Sequence, residues 1–385
     1  MSKVVGKKKL LRVTTVDISL NLLLKGQLRF LNQYYDVVGV ASDTGCLQTV
    51  GEREGIRVEN LPMHREIALG KDIVSLWRFI KLFRREKPFI VHANTPKGSL
   101  LSMIAAMLCR VPHRIYTVTG LRYEGTTGFL RFVLQMMERV ACFCATKVVP
   151  EGRGVKLTLM RHRITGKRLK VVRYGNINGV DTDNFSPAAC GRTREDVRRE
   201  LGFLDDDFVF VFVGRIVRDK GINELAGAMR RLKADGKRCR LILVGWFESG
   251  LSPIDPHNEE FLRGDDCVRF VGKQDDIRPY LLASDTFVFP SYREGFPCGP
   301  LEAGAMGLPC LVTRINGSSE IIVDGVNGLI VPPRSTEELA EKMAWFVTHP
   351  AQVAEMAAKA RPMIAFRYKR QDVWNGLLQV YKDLE

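Results

Sequence analysis

Residues 291–307 read SYREGFPCGPLEAGAMG and place two glutamates, Glu294 and Glu302, eight positions apart. Gly295, Pro297, Gly299 and Pro300 lie between them and let the backbone turn sharply and come close to a ligand. A carboxylate accepts hydrogen bonds through both oxygens, so such a pair suits the hydroxyls of a sugar or a ribose. Glu302 has a second explanation, because an acid in the first turn of a helix gains ~0.3–1 kcal/mol from the macrodipole. Glu294 precedes a turn that needs no acid, which points it toward a ligand. A second segment, GRIVRDKG at 214–221, ends a strand at Gly214 and places Arg215 and Lys220 in one loop. Asp219 is positioned to cap the next helix, with Glu224 in its first turns. Two cations beside helix N-terminal amides form a cradle for a diphosphate, the alternative being an ordinary solvated loop. In TRINGSSEIIVDGVNGLIVPP (313–333), Glu320 either meets a ligand or caps a short helix.

Other residues could do chemistry. His92 and Asn94 end the run FIVHAN, and Lys97 begins the helix that follows; a ligand contact and a packed histidine beside a capped helix are both open. Asp181-Thr182-Asp183 spells D-x-D, a pattern able to hold a divalent cation, but it follows no buried strand and reads as a turn. Asp205-Asp206-Asp207 reads as a solvated turn. The nine cysteines contain no C-x-x-C pair, and the nearest two, Cys142 and Cys144, fall inside a helical pattern. They read as reduced core thiols of a cytosolic protein, and no metal site or cofactor is expected.

These residues need elements to hold them. LLRVTTV (10–16), DVVGVAS (36–42), FIVHAN (89–94) and RIYTVTG (114–120) are apolar strand runs, with helical patterns at 19–33 and near 71–86, 98–109 and 128–143. A second series begins at FVFVFVGR (208–215) and continues through LILVGW (241–246), VRFVG (268–272), TFVFP (286–290) and PCLVT (309–313), with helices near 220–235, 275–284 and 299–306. Helical segments close the chain from 335, and a basic, loop-like stretch at 161–200 separates the series. Alternating strands and helices with continuously apolar strands imply parallel sheets covered on both faces. The fold class is α/β, with two Rossmann-like, doubly wound domains facing a cleft into which the strands' carboxyl ends point.

The length of 385 residues fits two domains, and 45% hydrophobic content is globular. No apolar run is long enough to span a bilayer, and the basic start reads as a first strand rather than a signal peptide. Residues 1–190 carry 31 Lys+Arg against 14 Asp+Glu, whereas residues 191–385 carry 27 against 29. The first half thus holds the whole positive excess and suits a polyanionic partner: nucleic acid, an anionic membrane or phosphorylated substrates. In DIVSLWRFIKLFRREKP (72–88), Ile73, Leu76, Trp77, Ile80 and Phe83 fall at core spacing, while Phe79 and Leu82 sit off that stripe among arginines and lysines. GFLRFVLQMMERVACF (128–143) is apolar around most of its circumference. Both helices fit either a buried packing or contact with an anionic membrane.

The order GR…DKG, VGW, FVG, PSYREGFPCGPLEAGAMGLP and GSSEII…DGVNGLIVPP resembles the retaining glycosyltransferases of family 4, which have the GT-B fold. The E-x7-E spacing from Glu294 to Glu302 matches the family motif, and the likeness covers essentially the whole chain. VHANTPKGSLLSMIAA…RIYTVTGLRYEG is similar to the members that build capsular, O-antigen or lipid-linked glycans. The resemblance implies an acceptor-binding domain at 1–180, a nucleotide-sugar domain at 181–365, and a helix at 366–385 that can cross back to the first. It implies that Arg215 and Lys220 neutralise a leaving diphosphate, Glu294 meets hydroxyls of the transferred sugar and Glu302 binds the ribose. Gly214, Gly272, Lys273, Gly295, Phe296 and Pro297 would lie against the donor, and His92, Asn94, Lys97, Thr119 and Arg122 against the acceptor.

The implied reaction is metal-independent transfer of a hexose or N-acetylhexosamine from a nucleotide sugar, a UDP-sugar, to a lipid-linked glycan. The implied place is the inner face of the cell membrane, reached through the basic first half, with no nucleic acid as partner. Two departures stand out: Thr119 occupies a position where many members have histidine, and the double glycine after the first strand is missing, leaving only Gly26. A nucleotide-sugar epimerase of the same fold is the competing enzyme, but it needs further acids or a histidine to abstract a proton. A basic nucleic-acid-binding protein fits the charge and lacks a recognition element.

Overall fold

The computed structural model describes residues 6–64, 68–248, 250 and 252–385. The chain divides into two compact units, Met1–Asn178 with Gln371–Glu385, and Gly179–Arg370. The first unit is built on β1 (Lys9–Val16), β2 (Asp36–Ser42), β3 (Arg57–Asn60), β4 (Ile90–Ala93), β5 (His113–Val118) and β6 (Lys147–Pro150), in the order β3-β2-β1-β4-β5-β6. The second holds β7 (Phe208–Ile216), β8 (Cys239–Phe247), β9 (Val268–Gly272), β10 (Thr286–Phe289), β11 (Cys310–Thr313) and β12 (Gly328–Val331), in the order β12-β11-β10-β7-β8-β9. Neighbouring strands are parallel throughout. Counted from its own first strand, each sheet follows the 3-2-1-4-5-6 order of a Rossmann sheet, as the sequence predicts. The order reverses between β1 and β4 and between β7 and β10, and a ligand crevice opens at such a switch point.

Both faces of the first sheet are covered. Successive strand residues point to opposite faces, so Leu11, Val13 and Val91 enter one core while Leu10, Val37 and Ile90 enter the other. The second core also takes Leu377, Leu378 and Tyr381 from the final helix, Arg370–Lys382. Residues up to Arg370 stay with the second unit, where Arg367 donates to the Glu320 and Ile321 carbonyls at 3.0 and 2.7 Å. The return to the first unit therefore begins at Gln371 rather than at 366.

Other expectations change. The helix at 19–33 is two helices, Asp17–Leu23 and Gln27–Asn32, parted by Gly26 in the left-handed region. The stretch read as loop contains the helix Arg194–Leu201, whose Thr193 hydroxyl accepts from the Asp196 amide at 3.1 Å. Asp219 does not cap the helix Ile222–Ala234, which Gly221 precedes; it pairs with Arg293 at 2.9 Å. Asp207 is no solvated turn residue, because it is buried and accepts from Arg238 and Arg240 at 3.0 and 3.1 Å. In the helix Leu69–Glu86 the expected stripe is only partly right: Phe83 is buried and Leu76 and Ile80 pack against the core, but Phe79 and Leu82 are buried in place of Ile73 and Trp77, which are exposed. The nine cysteines are all free thiols.

Candidate active site

The second unit's switch point gathers charge. β7 runs into Gly214 and Arg215, then a 3₁₀ turn at Arg218–Lys220 and Gly221 at φ 71°. A Cβ at Gly221 would stand 2.1 Å from the Pro290 carbonyl oxygen, so only glycine lets this turn press against the loop after β10. The Tyr292 amide donates to the Asp219 carbonyl at 2.9 Å, and the Tyr292 hydroxyl donates to Glu224 at 2.6 Å. Across this seam Lys220 Nζ donates to Glu294 Oε1, and Ser291 Oγ donates to the same oxygen at 2.8 Å. Both side chains of the pair are 18% exposed. Glu294 Oε2 makes no hydrogen bond among the described residues.

The remaining candidates have other partners. Arg215 is exposed and pairs with Glu248, beyond β8, at 2.9 Å. Glu302 lies half-buried in the helix Cys298–Ala305, where burial pushes its carboxyl up to about 7 against the opposing pull of Arg370. Among the described residues no hydrogen bond or ion pair joins Arg215 or Glu302 to the Lys220–Glu294 pair. Phe296 and Pro297 are buried, and the Phe296 ring lies 5.5 Å from Tyr368, so they anchor the turn from beneath. Gly317, at φ 74°, packs on that turn so closely that a Cβ would meet the Gly295 oxygen at 2.7 Å. Gly272 ends β9 in the left-handed region, and the exposed Lys273 carries its Nζ 6.0 Å from the Trp246 ring. In the D-x-D stretch Asp181 accepts from the Asn184 amide at 3.0 Å and pairs with Arg370 at 3.0 Å, which makes it a turn.

In the first unit the candidates separate. His92 and Asn94 belong to the interior: His92 contacts Arg12, and its Nε2 lies 2.7 Å from the Thr117 hydroxyl. Burial and the nearby Arg12 hold the His92 imidazole well below its ordinary value, hence neutral. Arg12, itself fully buried, donates to Tyr381 at 3.1 Å and Gln27 at 3.2 Å, tying β1 to the final helix. Lys97 is buried against Asp72 at 2.8 Å, and the Thr119 hydroxyl donates to the Asn94 carbonyl at 2.7 Å. Arg122 alone of the five stands exposed, without a hydrogen-bond or ion-pair partner among the described residues. Sequence reasoning missed Glu248, which holds Arg215 from the loop after another strand, and Ser291, which lies three residues before Glu294 and reads as an ordinary loop serine.

Two Rossmann sheets in one chain give the architecture of the GT-B glycosyltransferases. The family described as glycosyl transferases group 1 matches residues 193–363, and the glycosyl transferase 4-like domain matches residues 32–175. A capsular polysaccharide biosynthesis glycosyltransferase, CapM of Staphylococcus aureus, is 32% identical over 97% of both chains. This chain belongs to the family 4 glycosyltransferases. The UDP-Gal:alpha-D-GlcNAc-diphosphoundecaprenol alpha-1,3-galactosyltransferase of Escherichia coli is 29% identical over 78% of this chain and 77% of its own. Among solved structures, Anabaena Alr3699/HepE in complex with UDP superposes with a TM-score of 0.81 at 20% identity, over 98% of this chain and all of that one. Among the described residues no helix is long and apolar enough to cross a membrane.

Proposed function

We propose that this glycosyltransferase moves a hexose or N-acetylhexosamine, with retention, from a UDP-sugar to a lipid-linked glycan during surface polysaccharide assembly. The Lys220–Glu294 pair at the second switch point carries the reading. An ammonium group has three donors, so Lys220 can hold Glu294 and still offer two to a diphosphate. Glu294 keeps Oε2 for hydroxyls of the transferred sugar, and Arg215 supplies a second cation. Glu302 takes the ribose diol, while backbone at Gly214, Gly272, Lys273 and Gly295 meets the nucleotide. When the anomeric C–O bond breaks, its electron pair goes to the phosphate oxygen, where the two cations stabilise it without reorganisation. That oxygen accepts the proton of the attacking acceptor hydroxyl on the same face as the new C–O bond forms. The scheme needs no protein nucleophile, unlike the two-carboxylate glycosidases. It also uses no metal, and transfer should survive EDTA. UDP in the Anabaena structure and the diphosphoundecaprenol acceptor in the name of the E. coli relative support these substrate classes.

The proposed place is the cytoplasmic face of the membrane. Phe129, Phe143 and Trp77 are 80%, 74% and 54% exposed, beside Arg131, Arg78 and Lys81, and such a basic, apolar surface suits anionic lipid. Thermal shift against a panel of nucleotide sugars tests the donor: a ligand at 100 times its Kd adds ~2.7 kcal/mol. A panel in which no nucleotide sugar raises the melting temperature refutes the reading. Proton NMR of the product reads the anomeric configuration. Co-sedimentation with phosphatidylglycerol vesicles, weakened by salt and by Phe143→Ser, tests the location.

A further inference from the structure

The first sheet's switch point carries a different chemistry. Beyond the carboxyl ends of β1 and β4 lies a cavity of about 290 Å³, at the small end of the roughly 300–1,000 Å³ typical of ligand pockets. Thr15, Thr95 and Lys97 line it from the two strand ends, and the helix Gly128–Cys144 closes it. The threonines are committed to the framework: their hydroxyls lie 2.8 Å apart, and Thr15 Oγ1 accepts from the Gly98 amide at 3.0 Å. Lys97 is committed to Asp72.

Glu138 is not committed in this way. It projects from that helix into the lining at 6% exposure, and its Oε2 accepts from the Tyr116 hydroxyl at 2.7 Å. Oε1 makes no hydrogen bond among the described residues. Oε1 is left for a partner inside the cavity, where a ligand hydroxyl can take the place of water. We propose that Glu138 recognises the glycosyl acceptor, its Oε1 bonding a hydroxyl of an acceptor sugar seated in this cavity. The inference deepens the transferase reading and rests on it.

Three further observations fit. Leu134, Met137 and Ala141 give the cavity an apolar wall, suited to the C–H face of a pyranose. Arg122, exposed at its edge and unpartnered among the described residues, suits the phosphate through which a lipid-linked sugar is anchored. The opposite face of the same helix exposes Phe129, Phe132 and Phe143. A helix lying on lipid by that face would hold the cavity one helix diameter, ~10 Å, from the bilayer surface. Burial also raises the Glu138 carboxyl to about 7, so near neutrality it can both donate to and accept from a hydroxyl.

The test uses the full chain, a radiolabelled donor and, as acceptor, the lipid-linked glycan fraction extracted from membranes of the producing cell. Glu138→Leu should raise the acceptor KM about 10- to 100-fold, the worth of one hydrogen bond to a charged or buried group. The nucleotide-sugar thermal shift should stay as in the parent. Glu138→Gln, which keeps the volume and the bond from Tyr116, should raise acceptor KM several-fold, and it carries the test where the leucine variant fails to fold. A purely structural role would instead lower the melting temperature of Glu138→Leu and Tyr116→Phe alike and leave acceptor KM alone. Parental acceptor KM in the folded variants overturns the assignment. A parent that binds nucleotide sugar but transfers nothing to the extract overturns the acceptor class, and with it this inference. A parent that binds no nucleotide sugar overturns the transferase reading beneath both.

Discussion

Glu138→Gln should stabilise the protein at alkaline pH and do little at pH 5. The wild-type carboxyl is pushed by burial up to about 7 from an ordinary 4.5. The folded state therefore holds this proton across a window in which the unfolded state has released it. Stability changes with pH in proportion to protons bound unfolded minus folded, so that difference is negative between about 4.5 and 7, and stability falls as pH rises through the window. Each pKa unit corresponds to ~1.4 kcal/mol, so the shift amounts to about 3 kcal/mol by pH 8. Glutamine cannot ionise, and its carbonyl still accepts from Tyr116, so the variant avoids the loss. At ~2–4 °C per kcal/mol for a unit of this size, the gap in melting temperature should open from near zero at pH 5 to several degrees at pH 8. Calorimetric unfolding of both proteins at half-unit steps from pH 5 to 8.5 measures it. Parallel curves would mean that Glu138 is already ionised in the folded protein, or that water reaches both of its oxygens.

Three other outcomes are expected. Lys220→Ala should lower kcat by about 10²–10³, the usual cost of removing one donor from developing oxyanion charge, and steady-state transfer rates read it. The proposed bond from a ribose diol uses both Glu302 oxygens as acceptors, and with its carboxyl at about 7 both are free to accept only once it has ionised. UDP-glucose should thus bind about tenfold more weakly at pH 6 than at pH 8 by calorimetry, while Glu302→Gln should bind without that slope. Asp207→Ala removes the carboxylate shared by Arg238 and Arg240 and should cost about 3 kcal/mol by urea unfolding, the low end for a buried pair because Arg238 stays half-exposed and rehydrates.

The buried strands are legible because a strand covered on both faces is an uninterrupted apolar run, as FVFVFVG and LILVG show. Three of the four edges are not: RVEN at β3 and KVVP at β6 are short and partly polar, and GLIV at β12 hides between turn dipeptides. Periodicity finds the helix Leu69–Glu86 but centres its buried stripe too far round, because Ile73 and Trp77 on one side are as apolar as Phe79 and Leu82 on the other. Residue type marks Lys220 and Glu294 as candidates, yet the bond between them spans 74 positions and follows only from the adjacency of β7 and β10. His92 shows the reverse error, since a histidine at a strand end looks like a ligand until Arg12 and Tyr381, from distant elements, enclose it. Glu138 leaves a weak trace, a lone acid on the face that Leu134, Met137 and Ala141 share, in a helix apolar nearly all round.

The two switch points differ in a way that the proposed reaction requires. A departing diphosphate brings new negative charge, and it is stabilised best by cations already in place and only partly desolvated, the state of Lys220 at 18% exposure. An acceptor hydroxyl needs the opposite surroundings. It must stay protonated until the departing phosphate oxygen takes its proton, so a lysine beside it with a free donor would compete for its lone pair. The first unit keeps two of its cations away from that role by pairing Lys97 with Asp72 and sealing Arg12 among neutral side chains, and it leaves Arg122 at the cavity's edge, where the proposal gives it the lipid phosphate. What faces the cavity instead is a carboxyl poised near neutrality, able to orient a hydroxyl without a fixed charge. The same strand order can thus serve both partners of one transfer, because what each switch point binds is decided by which of its charges are already spoken for.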